Sequence, residues 1–159
     1  MKIKLLVLFL TACFVGNVAR AQDDEGISDE DLKKYAVAMD SIENMKSTLI
    51  ETISDMVKSN ENVSASRYND LSKIVDDEAK LQEAEATQEE IDFVKSVAAK
   101  KEEETAKINE AFQSLARDYI GAKTYNAVKK ALKDDADLKA KYTAMMEELS
   151  KEDTEDGGK

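Results

Sequence analysis

The chain predicts an all-α fold: an elongated helical bundle with two long heptad-patterned helices, several short helices and an internal duplication. Three observations carry this expectation. No proline occurs in 159 residues, so nothing removes a backbone donor or breaks a helix from within. Apolar residues recur at alternating spacings of three and four along two stretches, the pattern of helices packed lengthwise on one another. The segment after each stretch carries the same short motif, Tyr-Asn followed by an Asp and a Leu.

The first long helix is expected to start at Ser28, an N-cap residue, with Asp29, Glu30 and Asp31 facing the positive helix end. It runs to about Lys58 on a seam of Leu32, Tyr35, Met39, Ile42, Leu49, Ile53 and Met56, with Lys46 in the one polar slot. Asn60, Asn62 and Ser64 mark a break. A short helix over 66–75 places Tyr68, Leu71, Ile74 and Val75 inward, and Asp76 and Asp77 open another turn carrying Ala79 and Leu81.

Thr87-Gln88-Glu89-Glu90 reads as a capping box, in which Thr87 caps and Glu90 reaches back. The second long helix runs to about Tyr119 on Ile91, Val94, Ala98, Lys101, Thr105, Ile108, Phe112, Leu115 and Tyr119. At about 1.5 Å per residue each long helix spans some 45 Å. Gly121 is placed as a C-terminal cap. A short helix over 124–132 follows. Asp134 or Asp135 then starts a last helix with Leu138, Tyr142, Met145 and Leu149 inward.

The N-terminus has the three parts of a secretory signal peptide. Lys2 and Lys4 are basic, residues 5–15 are apolar except for Thr11, and Ala19 and Ala21 stand where a signal peptidase reads. The division read from this is a signal peptide over 1–21, an acidic leader over 22–27, a helical repeat over 28–85, a second over 86–150 and a disordered charged tail over 151–159. The apolar run is shorter than the roughly 20 residues a membrane span needs. An alternative takes Leu10-Thr11-Ala12-Cys13 as a lipobox, with Cys13 lipidated and the protein anchored through it. The expected location is outside the cytoplasm, periplasmic or secreted.

Composition narrows the functions. The formal charge is −11; losing Lys2, Lys4 and Arg20 with the signal takes it to about −14. Such a chain repels phosphate backbones, so no nucleic-acid partner is expected. Histidine is absent, and the single cysteine lies in the signal, which removes the usual general base and the thiol nucleophile. No glycine-rich phosphate cradle exists. The expectation is therefore no enzyme, no catalytic residues, no cofactor and no metal site.

The two halves align. Ser28, Asp31, Leu32, Tyr35, Met39, Leu49, Ile53 and Met56 each have a counterpart 59 residues on, from Thr87 to Leu115. After the long helix the offset becomes 57, and seven of the 19 positions from Val63 to Leu81 are identical to their counterparts. Duplicated helical units close a core by packing on each other. Alternatively, a homodimer buries the heptad seams. The repeat anchors are Tyr68-Asn69 and Tyr125-Asn126, read as structural tyrosines on inner faces with the asparagines at the polar boundary.

The opening Ile27-Ser28-Asp29-Glu30-Asp31-Leu32-Lys33-Lys34-Tyr35-Ala36 and the closing Thr124-Tyr125-Asn126 to Asp134-Asp135-Ala136-Asp137-Leu138 resemble DUF4168, a family of uncharacterised small exported bacterial helical proteins. Ala136 stands where that pattern often has proline, and Ile120-Gly121 only approximates its Gly-Leu link. The resemblance implies export and helices and supplies no reaction or site residues.

The function expected from these readings is non-catalytic: an exported helical protein acting through protein–protein contacts in the cell envelope or outside the cell, with the partner unnamed. Two alternatives stand beside it. One is a periplasmic holdase-type chaperone using its methionines and acidity. The other is a weak divalent-cation binder through Asp76-Asp77-Glu78 or Asp134-Asp135.

Overall fold

A computed structural model describes residues 26–156, with side chains through Lys151. The signal and lipidation positions Cys13, Ala19 and Ala21 lie outside the described residues. The fold is all-α and elongated, with no strand among the described residues. Its elements are α1 (Asp29–Ser59), α2 (Ala65–Leu71), α3 (Glu78–Glu83), α4 (Gln88–Ser114) continued by a π-helical turn (Leu115–Tyr119), α5 (Ala122–Asp134) and α6 (Ala136–Asp156).

Local chemistry sets the helix starts. Ser28 Oγ accepts from the Asp31 N–H at 3.1 Å and donates to the Asp31 carboxylate at 2.7 Å. Ser64 caps α2 through the Arg67 N–H, and Asp77 caps α3 through the Lys80 N–H. At α4 both halves of the capping box are formed: Thr87 Oγ1 accepts from the Glu90 N–H, and Glu90 accepts from the Thr87 N–H at 2.9 Å. Asp135 starts α6 by accepting from the N–H groups of Asp137 and Leu138, each at 2.9 Å. Each cap satisfies donors that the helix leaves open.

The long helices α1 and α4 pair side by side and antiparallel. Asn44–Thr52 of α1 lies against Lys100–Ile108 of α4, and the first turns of α1 lie beside the end of α4. Two apolar clusters close the two ends. In one, Leu32, Tyr35 and Ala38 of α1 pack with Ile120, Val128, Tyr125, Leu132 and Leu138 from the second half. In the other, Val94 and Ile91 of α4 pack with Tyr68, Leu71, Val75 and Leu81 from the first half. The arrangement is reciprocal. Leu32, Tyr35, Tyr125, Val128, Leu132 and Leu138 align in sequence with Ile91, Val94, Tyr68, Leu71, Val75 and Leu81. Each half lays the start of its long helix on the short helices of the other.

Four positions expected on the second seam point outward. Ala98, Lys101, Thr105 and Tyr119 are exposed, while Val97 and Ile120 are buried. Valine removes more apolar area from water than alanine, so the helix turns Val97 inward. Past Ser114 the helix widens: the Ile120 N–H reaches the Leu115 carbonyl, five residues back, at 2.9 Å. The wider turn shifts the register, leaving Tyr119 47 % exposed and Ile120 at 7 %. Lys46 in the α1 seam is exposed as well.

Gly121 is both the stop of α4 and the first cap of α5. Its φ of +90° is open to glycine and rarely to other residues. Its carbonyl accepts the Tyr125 N–H at 2.9 Å. Helix α6 runs on to Asp156, into the segment expected as a tail, because no glycine or proline interrupts it before Gly157.

Removing a fully buried side chain at one end tests these clusters. Leu71→Ala is expected to cost about 2–5 kcal/mol in urea unfolding, the range for a buried leucine truncated to alanine. Val97→Ser is expected to destabilise clearly, whereas Ala98→Ser stays within about 0.5 kcal/mol of the parent, as exposed positions do. The reverse ranking would restore the simple heptad.

Candidate functional site

The repeat tyrosines are placed at opposite ends of the bundle. Tyr125 stands at the centre of an aromatic group, with its ring 5.4 Å from Tyr35 and 5.7 Å from Phe112, the latter edge-on at 83°. Tyr142 meets Tyr35 at 5.8 Å. Each such pair adds about 0.5–1.5 kcal/mol beyond burial. Tyr68 meets Phe93 edge-on at 6.1 Å. Asn69 and Asn126 are exposed, and Asn126 Nδ2 donates to the carbonyl of Ala122 in its own helix at 2.9 Å. The tyrosines are thus packing anchors, and the asparagines face outward beside them.

Burial pushes the Tyr142 phenol up to about 12, with the neighbouring Tyr35, Glu43 and Asp40 adding to the shift. Tyr35 is raised too, first by burial and then by Tyr125. These phenols stay protonated through the neutral range, and their rings pack in the apolar cluster.

Arg67 forms the most elaborate polar contact. Its guanidinium is bidentate on Glu90, with Nε–Oε1 at 2.7 Å and Nη2–Oε2 at 2.9 Å. Nη2 also donates to the Ala84 carbonyl at 3.0 Å and the Glu85 carbonyl at 3.4 Å. Glu85 has a φ of +50°, a left-handed conformation uncommon for a side-chain-bearing residue. Arg67 therefore ties α2, the α3–α4 turn and the α4 capping box into one unit. The Arg67 side-chain bonds, together with the Thr87 N–H, hold the Glu90 carboxyl down at about 2. This role was not visible in the sequence. The capping box marks Glu90, but nothing local points from Arg67 to a partner 23 residues away.

Between the two ends lies a waist, the middle of the α1–α4 pair, with α6 packed along α1 from the aromatic end. A groove of about 530 Å³ runs along it, lined by Asn44, Met45, Thr48, Leu49, Thr52, Lys100, Glu104 and Ile108. Met45, Leu49 and Ile53 are half-buried, and Ile50 is 70 % exposed. Along the α4 rim, Lys100 pairs with Glu104 at 2.9 Å, and Lys107 pairs with Glu103 at 2.6 Å and Glu104 at 2.9 Å. These bonds lower both carboxyls and raise both ammonium groups. The groove combines an apolar floor with a charged, hydrogen-bonding rim, which suits a protein segment better than a small polar substrate.

The acidic clusters have structural duties. Asp77 caps α3 and pairs with Lys80 at 2.8 Å, and Asp135 caps α6. Among the described residues no group of three or more metal-ligating side chains is gathered, and no helix is long and apolar enough to cross a membrane. Compared with protein-family models, curated protein sequences and solved structures, the chain matches none.

Two pH limits follow. The folded value of Glu90 lies below its ordinary 4.5. Its contribution is therefore whole above about pH 4.5 and lost as the pH falls through about 2. Glu90→Gln is expected to be less stable than the parent at pH 7, and the gap should close as the pH falls through that window. For Tyr142 the folded value lies above the ordinary 10.0, so its contribution is present below pH 10 and lost as the pH rises toward about 12. Phenolate absorbance should show late-ionising tyrosine, and Tyr142→Phe should reduce that step and leave the part that belongs to Tyr35.

Proposed function

We propose that this is an exported, non-catalytic helical protein that works by holding a protein partner in the waist between its two closed ends. The observation that carries this reading is the waist itself. Met45 and Leu49 line the groove as half-buried apolar residues beside a rim of paired charges, and Ile50, next to Leu49 on the adjoining face, is 70 % exposed. A contiguous apolar strip rimmed by polar groups is a feature of protein interaction surfaces. The absence of histidine from the sequence, the acidic charge and the signal-like N-terminus support the same reading. A homodimer seated on the open part of the long-helix seams is the self-contact version of this proposal.

The holdase reading draws on one specific feature: Met45 and Ile50 offer an adaptable apolar contact without a shaped pocket. The two readings separate in one experiment. The chain is crosslinked mildly in its own envelope and recovered by affinity, beside Ile50→Lys. A dedicated partner is expected at fixed stoichiometry with the parent. It should be lost with Ile50→Lys while helical circular dichroism stays unchanged. Many unrelated, incompletely folded proteins would favour the holdase. Substrate turnover by the purified protein, or capture indifferent to Ile50→Lys, would contradict the proposal.

A further inference from the structure

Helix α5 breaks the charge pattern of the molecule. In a chain of formal charge −11, its 13 residues carry Lys123, Lys129, Lys130 and Lys133 against one acid, Asp134. All four lysines are exposed. Lys129 lies over the Tyr125 ring at 5.7 Å. Among the described residues, Lys123, Lys130 and Lys133 make no ion pair, as is true of Lys33, Lys46, Lys58, Lys95, Lys101 and Lys139; what sets α5 apart is that its lysines are gathered on one short helix.

The helix does not need these charges. Lys133, in the last turn, complements the helix dipole, but Lys123 sits in the first turn, where a cation is unfavourable. The reciprocal fold supplies an internal control. Helix α2 and the turn after it do the same packing job at the other end, and the aligned positions there are Ser66, Ser72, Lys73 and Asp76. The aligned positions carry no net charge, so equivalent scaffolding does not require the lysines of α5. The α2–α3 end presents Asp76, Glu78 and Glu83, all exposed and, among the described residues, without an ion pair.

We propose that the lysine face of α5 docks on the acidic α2–α3 end of a second copy of this chain. The argument is charge complementarity between two surfaces of the same chain. They lie at opposite ends of helices about 45 Å long, so one copy cannot satisfy both within itself. Such a contact is heterologous, joining unlike faces of the two copies, so each copy can engage one neighbour through α5 and one through the α2–α3 end. The proposal concerns surfaces apart from the waist and does not rest on the partner reading above. The contact is ionic, so added salt screens it, while the overall negative charge keeps association weak and dependent on concentration.

The test uses sedimentation velocity on residues 22–159, which include every described residue. Measurements run from about 10 mM salt, where the Debye length is about 30 Å, to about 1 M, where it is about 3 Å. Two variants accompany the parent: Lys123→Gln/Lys130→Gln/Lys133→Gln, and Asp76→Asn/Glu78→Gln/Glu83→Gln. The parent is expected to gain mass with concentration at low salt, and to lose association by about tenfold or more at high salt. Each variant alone should be monomeric. A mixture of the two should form a 1:1 complex and stop there, because each retains the face the other lacks. A parent that stays monomeric at low salt overturns the proposal, as does self-association indifferent to the lysine substitutions. Lysine-dependent pelleting of a monomeric parent with phosphatidylglycerol vesicles also overturns it and assigns the face to a lipid surface.

Discussion

Everything in this molecule depends on the antiparallel pairing of α1 with α4. Two helices side by side can each bury one stripe and no more, so a second layer is needed wherever a core is to close. The chain supplies that layer with α2 and α3 at one end and with α5 and α6 at the other, where α6 runs along α1. The short helices after α1 emerge beside the start of α4, because the partners run in opposite directions. Each half is thereby built onto its counterpart. At the waist the apolar residues Met45, Leu49 and Ile53 stay half-buried.

The polar groups serve this frame. Hydroxyls and carboxylates cap the helices, and the bidentate pair of Arg67 with Glu90 fixes the end where α2, α3 and α4 meet. Among the described residues no polar or charged side chain is buried, so the fold avoids the desolvation cost of interior charge. The other end is held instead by the rings of Tyr35, Tyr125, Tyr142 and Phe112. The two aligned ends thus close by different chemistry, an ionic lock at one and an aromatic cluster at the other. The π-helical turn Leu115–Tyr119 brings Ile120 into the aromatic end.

Much of the fold was readable from local signals. Ser28, Thr87 and Glu90 carry capping chemistry within four residues of where they act, and the helix starts follow from them. The seam ends at Leu32 and Tyr35, and at Ile91 and Val94, are strongly apolar and lie inward as expected. The middle of α4 was less readable: Ala98, Lys101 and Thr105 keep the heptad interval but bury little, and Val97 outcompetes them. The π-helical turn has no local signature, so the outward swing of Tyr119 could not be foreseen. The partnership of Arg67 with Glu90, and the meeting of Tyr35 with Tyr125, join residues far apart in sequence. They exist only once the halves are crossed. The open waist also comes from topology, because the pattern marks a stripe as apolar without saying how much of it will be covered.

The reading of the molecule as two closed ends joined by an open waist stands on this crossing of the halves. It is tested most directly by nuclear Overhauser contacts between aromatic rings in solution. Crossed halves predict contacts from Tyr35 to Tyr125 and Tyr142, and from Tyr68 to Phe93, with none between Tyr35 and Tyr68. If each half instead closed on itself, Tyr35 would meet Tyr68 and lose Tyr125. That result would contradict the reciprocal packing, and with it the waist and the separation of charge between the ends.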